Sequence, residues 1–220
     1  MAIANYERVT YGKTDYYFNR QNLIEMQIEP VSEFILGELR HGLPNHLTYH
    51  SVEHVLDVYQ AAEYIGIQEG ICANDMRLLL TAALYHDSGF LRGPKDHEEA
   101  SCNLAKETLP DFGYNGDEIA RICNMIRATR LPQLPKTHLE QILADADLDY
   151  LGRDDFFTTG EKLFEEFSYF GVVKNREEWN KLQIRFLEEH RFFTQTAIAM
   201  RKAEKDKHLE VIKSRVKNAL

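Results

Sequence analysis

Apolar residues recur at intervals of three and four through most of the chain, which is the spacing of amphipathic α-helices. The stretch "SVEHVLDVYQAAEYIG", for example, places Val55, Tyr59 and Ala62 on one helical face. By this criterion the sequence predicts helices over residues 22–42, 51–66, 74–89, 97–109, 116–129, 138–152 and 154–171, and a long helical pattern from about residue 177 onward.

One predicted helix differs from the others because it is apolar almost all round. In "NDMRLLLTAALYHDSG" the polar face disappears between Leu78 and Leu84, so we expect a central buried helix that begins at the capping residue Asn74. Strand signals are weak and are confined to a possible hairpin in residues 7–18. The pattern therefore predicts an all-α fold.

We expect residues 1–220 to form a single domain, because no Pro-, Gly- or Ser-rich linker interrupts the chain. Residues 153–220 are then helices that pack on the preceding core. The aromatic residues of this part are dense enough for a lid or a homodimer face, although we favour core packing: Phe156, Phe157, Phe164, Phe167, Tyr169 and Phe170.

Composition and charge narrow the classes of function. The net charge of −9 argues against general nucleic-acid binding. No apolar run is long enough to span a membrane, and the N-terminus lacks the layout of a signal peptide, so we expect a cytoplasmic protein. The three cysteines are widely spaced, which predicts neither a disulfide framework nor a thiolate zinc site.

The buried helix ends in "LYHDSGF", where His86 and Asp87 follow an apolar run. Burial of an imidazole beside a carboxylate costs free energy unless both groups find partners. One interpretation is purely structural, with Asp87 bonding locally and Gly89 ending the helix. The other is that both side chains belong to a site.

Further candidate ligands lie on two other predicted helices. His54 lies on the helix that begins near residue 51, and Asp145, Asp147 and Asp149 lie in the otherwise apolar "ILADADLDYLG". Carboxylates among apolar residues need partners, and a divalent cation satisfies several at once. A set of two histidines and two aspartates suits Mn, Fe, Co, Ni or Zn, and Mg is possible.

The order H … HD … D resembles the HD-domain superfamily of metal-dependent phosphohydrolases, with a motif core of about residues 46–152. The resemblance implies an all-α core and a divalent metal held by His54, His86, Asp87 and a later aspartate. We choose Asp145 for the last ligand because "ILAD" is similar to the start of the family's final motif helix. Asp147 is the alternative.

His50 lies one helical turn before His54, and "YHSVEH" is similar to the YHxxxH run of cyclic-nucleotide phosphodiesterases. That resemblance implies that His50 is a general acid that protonates the leaving oxygen. Histidine titrates near neutrality and is suited to proton transfer. A surface or packing histidine is the alternative.

The remaining candidates are cationic groups that can contact phosphate: Lys95, His97 and Arg130. Thr129 and Arg130 stand where relatives with two metals have a second histidine, which points to one metal per chain or to a weak second site. Phe90 replaces the lysine of "HDxGK" relatives. The alternative for each cation is a solvated surface residue.

The predicted function is hydrolysis of a phosphomonoester or phosphodiester of a nucleotide or other small phosphorylated metabolite by a metal-activated water, with Asp87 accepting the proton of the water. Two alternatives remain: a sensor or interaction module that binds metal or ligand without turnover, and a di-iron oxygenase, which needs more histidine ligands than the sequence offers.

Overall fold

The computed structural model describes residues 28–218. The regular structure of this range is α-helical, with short 3-10 turns and no strands, so the predicted all-α fold is confirmed. The predicted hairpin in residues 7–18 and the predicted start of the first helix lie outside the described residues. The α-helices are α1 Ile28–Gly42, α2 Val52–Gln68, α3 Ala73–Tyr85, α4 His97–Thr108, α5 Gly116–Ala128, α6 His138–Asp147, α7 Phe156–Tyr169, α8 Arg176–Glu189 and α9 Gln195–Asn218.

Helix α3 is central, as its apolar pattern predicts. Every residue from Leu78 to Tyr85 is buried, and the helix packs against α1, α2, α5 and α6. The helix begins at Ala73, one residue before the predicted cap. Asn74 instead lies in the first turn, where its side chain accepts a hydrogen bond from Arg77 (3.3 Å).

Gly89 does not end α3, which stops at Tyr85. It lies in a 3-10 turn over Ser88–Leu91, pressed against the first turn of α4. A Cβ atom at this position would lie 1.9 Å from the backbone oxygen of His97. The glycine therefore allows the turn after "HD" to approach α4 closely.

Helices α7 and α9 pack on the turn Asp149–Gly152, and α9 also packs on α2 and on α8. Helix α7 is also tied to the loop before α2, because the Thr48 hydroxyl donates to the Lys162 carbonyl (2.7 Å). Of the aromatic residues in this part, Phe156 is buried in the core, whereas Tyr169 and Phe170 are exposed. The C-terminal helices thus cover the side of the core where the HD turn lies.

Candidate metal centre and active-site cavity

Two predicted histidine ligands and one aspartate come together from α2, the end of α3 and the end of α6. The ligand atoms of His54, His86 and Asp147 all lie within 4.8 Å of one another. The Nε2 atoms of the two histidines are 3.3 Å apart, and Asp147 Oδ1 is 3.3 Å from Nε2 of His54 and 3.6 Å from Nε2 of His86. Two imidazoles and a carboxylate in this geometry can hold a divalent cation.

The backbone around "HDSG" orients His86. Its Nδ1 donates to the Ala83 carbonyl (2.7 Å), so the proton is on Nδ1 and the lone pair of Nε2 faces the centre. Ser101 fixes the turn from α4, since its hydroxyl donates to the His86 carbonyl (2.8 Å) and accepts from the Gly89 N–H (2.7 Å).

Asp87 completes the centre and provides the strongest sign that a cation belongs there. Its Oδ2 lies 3.2 Å from His86 Nε2 and 3.4 Å from His54 Nε2. This oxygen is buried and has no hydrogen-bond partner among the described residues, and Asp87 does not cap the following turn. A buried carboxylate oxygen without a partner is costly, and coordination of a cation removes that cost. The residues therefore fit a metal.

The electrostatics of the centre also favour positive charge. Burial by itself would lower the pKa of His54, but the Asp147 and Asp87 carboxylates outweigh burial and raise it to about 10. Burial would likewise raise the pKa of Asp87, but His86 and His54 hold it well below its usual value. Both findings indicate ionised carboxylates that attract a cation.

Asp147, and not Asp145, faces the histidines, so the choice of Asp145 as the fourth ligand is corrected. Positions two residues apart on a helix point in nearly opposite directions. Asp145 points toward the start of α9, where its Oδ2 accepts from the Thr194 N–H and the Thr194 hydroxyl (both 2.7 Å). Its Oδ1 accepts from the Phe193 N–H (2.9 Å). Burial raises the pKa of Asp145 to about 6.

The third carboxylate of the run, Asp149, has yet another partner. It is buried and accepts two hydrogen bonds from Arg201 of α9 (2.7 and 3.0 Å). The three aspartates therefore contact three different parts of the fold, and among them Asp147 faces the candidate metal centre.

His50 is held at the edge of the centre by Glu166 of α7. The Glu166 carboxylate bonds His50 Nδ1 and also accepts from the backbone N–H groups of Tyr49 (3.0 Å) and His50 (3.1 Å). Burial would raise the pKa of Glu166, but these donors, His50 first, hold it below its usual value. With Nδ1 engaged, Nε2 is the nitrogen left to face a ligand.

Phe90, which stands in place of the lysine of the "HDxGK" pattern, has a packing role. Its ring stacks on His50 with centroids 4.1 Å apart and on His97 with centroids 4.3 Å apart. It therefore packs between the two histidines and fixes their rings.

A cavity of about 360 Å³ opens from this centre. Its lining includes His50, Asp87, His97, Arg130 and Asp147. The other lining residues are Tyr49, Glu98, Thr129, Leu131, Leu148, Tyr150, Leu151, Phe156, Leu163, Phe167, Trp179, Leu182, Gln183, Phe186 and Leu187.

The three predicted phosphate contacts differ in position. His97 Nε2 is 3.6 Å from Asp87 Oδ1, beside the centre. Arg130 lines the cavity, but its guanidinium donates to Glu98 (3.2 Å). Lys95 lies on an exposed loop and is not among the residues that line the cavity, so the structure does not bring it to the site.

The contribution of the C-terminal helices to the site was not predicted from the sequence. Glu166, Trp179 and Gln183 all reach the site or its cavity from α7 and α8. No sequence pattern separates Glu166 from the adjacent Glu165, although the first is buried and the second exposed.

Comparison with known proteins agrees with this fold. Residues 51–149 match the family model of the HD domain. A crystal structure of a predicted HD superfamily hydrolase from an uncultured Thermotogales bacterium superposes with a TM-score of 0.57 at 21% identity, covering 86% of this chain and 92% of that one. A crystal structure of a Lactobacillus plantarum protein gives a TM-score of 0.60 at 19% identity, covering 87% and 97%. At these identities the two likenesses show the fold.

One curated relative matches over a short region. An uncharacterized protein of Clostridium beijerinckii is 33% identical over 73 residues, which is 32% of this chain and 46% of the relative. The chain therefore spans less than half the length of that relative.

Among the helices in residues 28–218, none combines the length and the hydropathy needed to cross a bilayer.

Proposed function

Because the chain belongs to the HD-domain superfamily, we propose that it is a metal-dependent phosphohydrolase that cleaves a phosphate ester of a nucleotide or another small phosphorylated metabolite. The observation that carries this proposal is the unpartnered Oδ2 of Asp87 beside His54, His86 and Asp147, at one end of a cavity that also contains His50. A hydrolase needs a site for the cation, a proton donor and room for the substrate, and these residues can supply all three.

His54, His86, Asp87 and Asp147 would hold one divalent cation of the series Mn, Fe, Co, Ni, Zn or Mg. A cation bound there lowers the pKa of a water molecule and screens the phosphoryl oxygens. Asp87 lines the cavity, with Oδ1 3.6 Å from His97 Nε2, and would accept the proton of the attacking water. His97 and Arg130 would contact the phosphoryl oxygens.

His50 would donate its Nε2 proton to the leaving oxygen as the bond between phosphorus and that oxygen breaks. The leaving alcohol then departs neutral, and His50 regains a proton from water. Glu166 supports this step because its carboxylate stabilises the protonated ring and fixes its orientation.

The test compares two histidines four positions apart. After reconstitution with each cation in turn, His54→Ala should lose bound metal. His50→Gln should keep the metal and lose about 100-fold or more in kcat toward the phosphate esters that the wild type cleaves. The control is His41→Gln on the exposed end of α1, which should change neither the bound metal nor kcat.

Full activity of His50→Gln on every substrate would contradict the general-acid role. Bound metal without hydrolysis across a broad panel of phosphorylated metabolites would favour the sensor module instead. Two irons per chain would favour an oxygenase. The cytoplasmic location, the lack of nucleic-acid and membrane partners and the homodimer stay predictions.

A further inference from the structure

The cavity extends from the metal centre into a mostly apolar chamber, which we define by Leu163 and Phe167 of α7 and by Trp179, Leu182, Gln183, Phe186 and Leu187 of α8. Apart from Gln183, every side chain that α7 and α8 contribute to the lining is aliphatic or aromatic. Trp179 and Leu187 are buried, and Trp179 is fixed by the Phe164 and Phe167 rings, each 5.9 Å away between centroids.

The charged residues of the lining, which are Asp87, Glu98, Arg130 and Asp147, all lie outside α7 and α8. Arg130 is the one lysine or arginine among the residues that line the cavity, and its guanidinium already pairs with Glu98. A chain of phosphates needs several cationic partners, and a sugar needs partners for each hydroxyl that it buries. The chamber provides one amide, that of Gln183, for such contacts.

The position of His50 relates the chamber to the leaving group. Glu166, which holds His50, lies on α7 three residues after Leu163 and one before Phe167. The same helix therefore fixes the proposed proton donor and forms a wall of the chamber. An alcohol that receives its proton from His50 has its carbon skeleton beside that wall.

Building on the proposed function, we propose that the substrate is a phosphate monoester whose leaving alcohol carries a ring-sized apolar group within one or two carbons of the ester oxygen. The phosphoryl group lies at the metal centre, and the apolar group fills the chamber. Burial of apolar surface is the favourable contribution that such walls can make, since they offer few hydrogen bonds to a polar skeleton. Gln183 accommodates a single polar substituent.

The first experiment measures kcat/KM of the metal-replete protein for primary-alcohol phosphates, whose leaving groups are chemically similar. The set is benzyl phosphate, 2-(1-naphthyl)ethyl phosphate, glucose 6-phosphate and adenosine 5′-monophosphate. We expect the two apolar esters to exceed glucose 6-phosphate at least tenfold and to exceed the nucleotide. Equal or higher values for the sugar or the nucleotide would overturn the proposal.

The second experiment fills the chamber. The double variant Leu163→Phe/Leu182→Phe adds volume at two partly buried lining residues. It should reduce the preference for the naphthyl ester over glucose 6-phosphate at least fivefold. The matched control Ile198→Phe/Leu209→Phe changes two partly buried residues of α9 outside the lining and should preserve the preference. An unchanged preference in the first variant would contradict the proposal.

A binding measurement separates this proposal from the proposed function, because it needs no turnover. Trp179 is the single tryptophan of the chain and lines the chamber, so its fluorescence reports on occupancy. We expect saturable quenching by 4-nitrobenzylphosphonate and by 4-nitrobenzyl alcohol in the wild type and the control, with at least fivefold weaker binding in the chamber variant. Quenching without hydrolysis would reject the proposed function alone, whereas hydrolysis without saturable quenching would reject the chamber.

Discussion

Glu166 binds His50 at the ring nitrogen and at the backbone N–H, although 116 residues separate the two in the chain. The carboxylate is nearly inaccessible to solvent, and the histidine lines the cavity. A helix from the C-terminal part of the chain therefore sets the orientation of a candidate catalytic residue in the HD core. Helix α7, through Glu166, and helix α8, through the cavity lining, therefore contribute to the candidate site.

Glu166→Gln tests this relationship. The variant should keep its metal but lose about tenfold or more in kcat, because a neutral amide stabilises the protonated His50 ring less than a carboxylate does. Glu165→Gln, at the exposed neighbouring position, is the control and should leave the rate unchanged. An unaltered kcat in Glu166→Gln would show that the carboxylate has only a structural role.

Two aspartates on one helix should have separable effects. Asp147→Asn should lose most of its bound metal, measured by elemental analysis after dialysis. Asp145→Ala should keep the metal but lower the free energy of unfolding by about 1–3 kcal/mol, because Phe193 and Thr194 lose a buried acceptor. Denaturant unfolding gives the second value. Metal loss confined to Asp145→Ala would restore Asp145 as the ligand.

Two glycines give a matched pair for stability. Gly89→Ala should lower the free energy of unfolding by about 2 kcal/mol or more, because the new Cβ would meet the His97 backbone oxygen. Gly37→Ala has open space around it within α1 and should raise stability by about 0.5–1 kcal/mol. Thermal or denaturant unfolding measures both. Similar stabilities of the two variants would show that the turn after "HD" is not tightly packed.

His190 should make stability depend on pH. Burial, with Lys205 and Arg191 nearby, lowers its pKa from 6.5 to about 3, so the unfolded chain binds a proton that the folded chain does not. The contribution of neutral His190 to the free energy of unfolding is fully present above pH 6.5. It is lost as the pH falls toward 3, and about 2 kcal/mol of it is already lost at pH 5.

The comparison for His190 is unfolding of the metal-free wild type and of His190→Phe at pH 7.5 and pH 5. The variant removes the titrating group and places a ring between Phe186 and Phe192, which already contact His190. Between pH 7.5 and pH 5, the free energy of unfolding of the variant should fall by about 2 kcal/mol less than that of the wild type. Equal losses would mean that His190 is not the source of the dependence.

The periodic pattern predicted most helices because each buries a local apolar face, and periodicity records that face directly. Boundaries were less certain, as the start of α3 at Ala73 shows. The motif residues His54, His86 and Asp87 were found because polar groups in apolar surroundings are conspicuous in a sequence. The sequence could not show that Lys95 lies outside the cavity lining, because charge alone does not tell which way a loop faces.

The sequence by itself determined the all-α fold, the central buried helix and the HD motif, since these depend on local spacing and on the cost of burying polar groups. Only the tertiary structure decided between Asp145 and Asp147, because both lie in the same apolar run and differ solely in the side of α6 they face. It also decided that Glu166 binds His50 and that α7 and α8 form the chamber. Such contacts join residues far apart in the chain, and no local pattern records them.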